Sequence, residues 1–272
     1  MTAFEKLELI QNNNSSILCI GLDSDLKKIP AYLQNDMMGL YNFNCSIIEA
    51  TSDLVCSYKI NFAFYEQYGY QGFDVIKKTL DFIPKECYTI ADAKRADIGN
   101  SSKAYAEGIF NDFGFDSVTV SPYMGLDSVA PFFDYSQKMV YVLALTSNPG
   151  SEDFQQLLID GEPLYLNVVR KFAAKYQKDN LGFVVGATHP EDLAKIRQVI
   201  SDNYLLIPGI GTQGGDAKKL LKANNNCNSL INVSRDIIYC NDFDNFAEAA
   251  RDKSKHYKDL FNKINLEVMV DK

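Results

Sequence analysis

Residues 88–105 read YTIADAKRADIGNSSKAY, and they run from a short apolar stretch through Asp92, Lys94 and Asp97 into a helix-like segment. Side chains alternate faces along a strand, so Asp92 and Lys94, two residues apart, point the same way from its C-terminal end. Asp97 lies past that strand, and Ile98, Gly99, Asn100 and Ser101 open a helix carrying Tyr105, Ile109 and Phe113. Two acids around one amine favour its charged form, so Lys94 is expected to stay ammonium, with a proton ready to deliver. The same residues also fit a solvated strand-end lysine followed by an aspartate that caps the next helix. The rest of the chain has to separate the two.

Working outward, eight short apolar segments recur: SILCIGLD (16–23), LVCSYKI (54–60), CYTIADAK (87–94), SVTVSPY (117–123), VYVLALTS (140–147), LGFVVGAT (181–188), YLLIPG (204–209) and LINVSR (230–235). Near-continuous hydrophobic strands alternating with helices specify a parallel sheet covered on its outside, and eight such units suggest a closed barrel. With 272 residues and 46% apolar content, the chain can bury one large core. The expected fold is α/β, a single (β/α)8 TIM-barrel domain over residues 1–272. Tyr41, Ile47, Ile48 and Leu54 set a helical period before the second strand, and Leu164, Val168, Phe172 and Tyr176 before the sixth. Pro131 predicts a short or kinked fourth helix near 126–135. A final helix over about 243–261 closes the outer ring, while the asparagine runs 12–14 and 224–226 read as loops.

A formal charge of −8 and a pI near 4.9 argue against a nucleic-acid surface or an anionic membrane as partner. An anionic ligand must then be held by a few local cations and backbone amides. The six cysteines, at 19, 45, 56, 87, 227 and 240, show no C-x-x-C spacing and read as small hydrophobes in a reducing compartment. The opening MTAFEKLELIQNNNSS is not patterned as a targeting segment, and no stretch approaches a membrane-spanning length, so a cytoplasmic protein is expected.

Polar residues cluster at one place in the pattern. Asp23, Lys59, Asp92, Lys94, Ser147, Thr188 and Arg235 all fall at or just past C-terminal strand ends, the face that carries the active site in such barrels. After the seventh strand comes PGIGTQGGD (208–216), and after the eighth NVSRD (232–236). Glycines admit an oxyanion close to backbone amides, a helix beginning near Gly215 would aim its positive end there, and Gln213 and Arg235 add side-chain donors. Together these favour phosphate over an ordinary turn with an ion-paired arginine. Asp23 suits a sugar hydroxyl or a cap, Lys59 a bridge between Asp23 and Asp92 or a solvated end, and Ser147 a ring edge or a Ser-Asn-Pro-Gly turn. Asp23 and Asp92 could hold magnesium, but the lysines compete with a divalent ion, and His189 and His256 make no ligand pattern; no metal is expected.

ADAKRADIGNSS resembles the third-strand signature of the orotidine 5'-phosphate decarboxylase family, Asp-x-Lys-x-x-Asp-Ile, and its surroundings are similar to the bacterial type 2 subgroup. GLDSD, YKINFAFYE, TVSPYMG, LTSNPG, VVGAT, PGIGTQGGD and NVSRDI match in the same order, so the resemblance covers nearly the whole chain. Asp-x-Lys-x-x-Asp alone is shared with related barrel decarboxylases and synthases, among them magnesium-dependent enzymes acting on sugar phosphates. The resemblance implies decarboxylation of orotidine 5'-monophosphate to uridine 5'-monophosphate, without a cofactor, in a homodimer with shared sites. It implies Lys94 as proton donor, flanked by Asp92 and by Asp97 of the neighbouring subunit. Asp23 and Lys59 would serve the ribose and the charge network, and Ile98 and Ser101 would cross the dimer. Ser147 would read the pyrimidine, while Gln213 and Arg235 would hold the phosphate. Many relatives carry threonine in place of Ser101 and glycine in place of Ser234; the Ser234 amide is expected to face phosphate only if its side chain points away.

Overall fold

The structure is a computed structural model and describes residues 1–211, 216–240 and 245–270. The eight apolar segments form eight strands: β1 (Leu18–Gly21), β2 (Ser57–Asn61), β3 (Tyr88–Arg95), β4 (Ser117–Val120), β5 (Met139–Leu145), β6 (Leu181–Val185), β7 (Leu205–Pro208) and β8 (Ser229–Val233). Each pairs in parallel with the next, and β8 returns to β1, so the sheet closes into a barrel in chain order. Around it run α1 (Ala3–Asn14), α2 (Met37–Thr51), α3 (Tyr70–Phe82), α4 (Gly99–Glu107), α5 (Leu164–Ala173), α6 (Pro190–Val199), α7 (Ala217–Asn224) and α8 (Phe246–Val270).

The continuous apolar runs divide by parity into two cores. Leu18 and Ile20, Val118 and Val120, Phe183 and Val185, and Ile231 and Val233 face the helices. Cys19, Cys56, Tyr88, Ile90, Tyr141, Tyr204 and Leu206 fill the barrel, together with Ala3, Leu7 and Ile10 of α1. Helix α1 thus plugs the N-terminal end of the barrel, leaving the C-terminal end to the polar residues. It is fixed there by Gln11, which donates to the Ser229 carbonyl at 2.8 Å, and by Asn14, which donates to the Val55 carbonyl at 2.7 Å.

Several boundaries differ from expectation. The run Asn12, Asn13 and Asn14 is the last turn of α1, ended by Ser15 in the left-handed region (φ 45°), and the Asn14 side chain donates to the Ser52 and Val55 carbonyls of the neighbouring loop. Asn224 likewise ends α7, whereas Asn225 and Asn226 do leave the helix, both at positive φ. Leu54 and Tyr176 lie beyond the ends of α2 and α5. The helix expected near 126–135 is the single turn Ala130–Phe133, with Pro131 in its first turn, where a missing N–H costs nothing. The final helix extends to Val270, and Phe243, where it was expected to begin, lies outside the described residues. No helix among the described residues is long and apolar enough to cross a membrane.

Candidate active site

The parity that fills the barrel also builds its mouth. Along β3, Tyr88 and Ile90 point inward, so Asp92 does too, one layer higher. Asn61 of β2 pairs with Asp92, and Lys59 with Ile90. Two strands thereby deliver Lys59 and Asp92 to one point: Lys59 Nζ lies 2.9 Å from Asp92 Oδ2 and 3.4 Å from Asp23 Oδ1, just past β1. Lys94 Nζ meets the other Asp92 oxygen, Oδ1, at 2.5 Å. The result is an alternating row of Asp23, Lys59, Asp92 and Lys94.

Burial differs sharply along that row. The Lys59 side chain is 4% exposed, whereas Lys94 is 48% exposed and opens onto the cavity. Burial on its own would raise the Asp92 carboxyl, but Lys59 and Lys94 outweigh it and hold the group well below the usual carboxylate range. Burial would equally depress the Lys59 amine, yet Asp23 and Asp92 prevail and push it above its ordinary value. Lys59 stands where a divalent ion shared by Asp23 and Asp92 would have to sit.

A cavity of about 280 Å³ opens over these groups, lined among others by Ser147, Pro208, Gly209, Asn232, Ser234 and Arg235. Arg235 begins the short helix Arg235–Ile238, is exposed, and pairs with no acid among the described residues. The Ser234 side chain is tied to the end of β1: Oγ lies 2.6 Å from Asp23 Oδ2 and 2.8 Å from the Gly21 carbonyl. Gly21 makes room for it, since a Cβ there would stand 2.8 Å from the Ser234 Cβ.

Other expectations fare differently. Gln213 lies outside the described residues, and α7 starts at Ala217, later than Gly215. The carboxylate of Asp216 caps α7, accepting from the amides of Lys218 and Lys219, so an acid occupies the helix end expected to meet phosphate. Thr188 is exposed past β6 and does not line the cavity. Asp97 does not flank Lys94 within the chain; its carboxylate accepts from the Ile98 amide at 2.8 Å. Neither Asp97, Ile98 nor Ser101 lines the cavity of its own chain.

Asn61, Thr119 and Asn232 do line it and were missed. Strand parity could have found the first two, two residues beyond the inward-facing Lys59 and Ser117.

A sequence model of the orotidine 5'-phosphate decarboxylase / HUMPS family matches residues 16–250. Orotidine 5'-phosphate decarboxylase of Herpetosiphon aurantiacus is 46% identical over 91% of this chain and 93% of its own length. That of Christiangramia forsetii is 47% identical, over 94% and 95%. The structure of Leishmania donovani OMP decarboxylase superposes with a TM-score of 0.86 at 32% identity, covering 98% of this chain and 99% of that one. Leishmania donovani UMP synthase gives 0.88 at 33% identity, with 97% of this chain covering 57% of that longer one. With its closed barrel, its row of alternating acids and lysines and its match over residues 16–250, the chain belongs to the orotidine 5'-phosphate decarboxylase / HUMPS family.

Proposed function

We propose that the chain decarboxylates orotidine 5'-monophosphate to uridine 5'-monophosphate in pyrimidine synthesis, in the manner of the bacterial type 2 enzymes and in the cytoplasm. The observation that carries this reading is the row Asp23, Lys59, Asp92 and Lys94 in one cavity with Arg235. Breaking the bond from C6 to the carboxylate releases carbon dioxide and leaves an electron pair in the ring plane, where conjugation cannot spread it. An ammonium fixed beside C6 stabilises that charge as it develops and then donates its proton to the same carbon. Lys94 takes this role, with Asp92 and Lys59 holding it in place.

Asp23 and Lys59 serve the ribose side, Ser147 the pyrimidine, and Arg235 and Gln213 the phosphate. Phosphate binding far from C6 supplies energy that closure of the surrounding loops converts into catalysis. Ser234 acts through Asp23, as its side-chain contacts support. Asp97, Ile98 and Ser101 complete the site of a second subunit; in support, Ile98 is 64% exposed, as are the aromatic faces of Tyr123 (79%) and Phe154 (55%). No cofactor is needed, because the ammonium performs the electrostatic work a metal would otherwise do.

The test is loss of the substrate's ultraviolet absorbance on mixing with the protein. Lys94→Ala is expected to lower turnover by at least about 10³-fold while product affinity stays within a few-fold. Substantial residual turnover removes Lys94 from its role. Turnover abolished by EDTA would favour instead a magnesium-dependent enzyme on the same barrel.

A further inference from the structure

Strands β3 and β4 are out of step where the site is built. Ala91 and Arg95 of β3 pair with Val118 and Val120 of β4, so Asp92, Ala93 and Lys94 stand opposite the single residue Thr119. Such bulges re-aim side chains, and this one carries Lys94 into the left-handed region at φ 48°, which L-residues disfavour because Cβ crowds the carbonyl. A residue pushed out of the ladder also loses the carbonyl its N–H would have met.

Thr119 supplies the replacement. Its Oγ1 accepts the Lys94 N–H at 3.0 Å and donates its own proton to Asp92 Oδ1 at 3.0 Å. Thr119 is 1% exposed, so water does not compete for either bond. The Lys94 side chain is long and half exposed; what defines its position is its backbone root and the carboxylate that receives its ammonium. One hydroxyl fixes both.

The geometry points to Thr119 as a positioning residue for the reaction: it holds the bulged Lys94 backbone and the Asp92 carboxylate in register, and so sets where the Lys94 ammonium stands. This rests on the reading of the site given above. Without the hydroxyl, the Lys94–Asp92 ion pair persists but turns as a unit, and the ammonium leaves the line to the reacting carbon. A displacement near 1 Å lowers rates on the order of 10²-fold.

The experiment compares wild type, Thr119→Val, which keeps the shape without the hydroxyl, and Thr119→Ser, which keeps the hydroxyl. Wild-type turnover is measured first; its absence refutes the assigned activity and not the role of Thr119. Given wild-type turnover, Thr119→Val is expected to lower kcat by about 10- to 100-fold with affinity for the product nucleotide within roughly 3-fold, and Thr119→Ser to restore most of kcat. Hydrogen exchange of the Lys94 amide should quicken in the valine variant and not in the serine variant. Thr119→Ala, checked by circular dichroism, replaces the valine variant should that fail to fold. An unchanged kcat, an equal loss of kcat and product affinity, or a serine variant as slow as the valine variant overturns the proposal.

Discussion

Lys59 is the residue on which the charge row depends. It is the least exposed of the four charged side chains and lies between Asp23 and Asp92. Taking a buried charge from its partners leaves them desolvated and uncompensated, so Lys59→Met is expected to cost about 3–5 kcal/mol of stability at pH 7, read from denaturant titration. The pH dependence has a definite sign. Asp92 has a folded-state pKa below its unfolded value, so it contributes stability above the ordinary carboxylate range and loses it as pH falls towards the folded value. Lys59 is one of the two causes of that depression. Without it, burial is opposed by Lys94 alone, and the folded variant takes up a proton more readily than the folded wild type. The stability gap between wild type and Lys59→Met should therefore narrow from pH 7 to pH 3; a gap that stays constant would show that Lys59 acts through packing alone.

Strands and helices were legible to different degrees, for reasons particular residues make plain. The near-continuous apolar runs placed Lys59 and Asp92 at C-terminal strand ends, because a strand buried on both faces is apolar along its length until it emerges. The bulge at Asp92–Lys94 left no such trace: ADAKRAD holds no glycine or proline, and the left-handed residue is a lysine held by a hydroxyl on the next strand. Arg95 adds to that hold, bonding Glu66 and lying 5.6 Å from the Phe62 ring centroid and 5.2 Å from that of Tyr105, contacts no local pattern announces. The α1 plug was readable and overlooked: Thr2 and Glu5 form a capping box, and Ala3, Leu7 and Ile10 recur at helical spacing. Because α1 seals the end remote from the site, Leu7→Ala should lower stability by about 2–4 kcal/mol while kcat of the folded protein stays unchanged. A fall in kcat with stability intact would couple that end of the barrel to the chemistry.

At the scale of the whole molecule, one chain supplies the row from Asp23 to Lys94 but turns Asp97 onto its own helix start, away from its own lysine. A charge that the reaction is proposed to use, yet which does not line its own chain's cavity, has a place in the mechanism only if a second copy receives it. The subunits then share two sites, each taking Lys94 from one chain and Asp97 from the other. This arrangement has a consequence that no single-chain site can imitate. Lys94→Ala and Asp97→Ala variants, each inactive alone, should regain turnover when unfolded together and refolded as a mixture. Random pairing puts both lesions in one site of a mixed dimer and leaves its other site intact, so recovery should approach about a quarter of the wild-type rate per chain. Recovery should track the fraction of mixed dimer separated by charge. If the mixture stays as inactive as its components while mixed dimers form, Asp97 serves its own chain and the shared site is refuted.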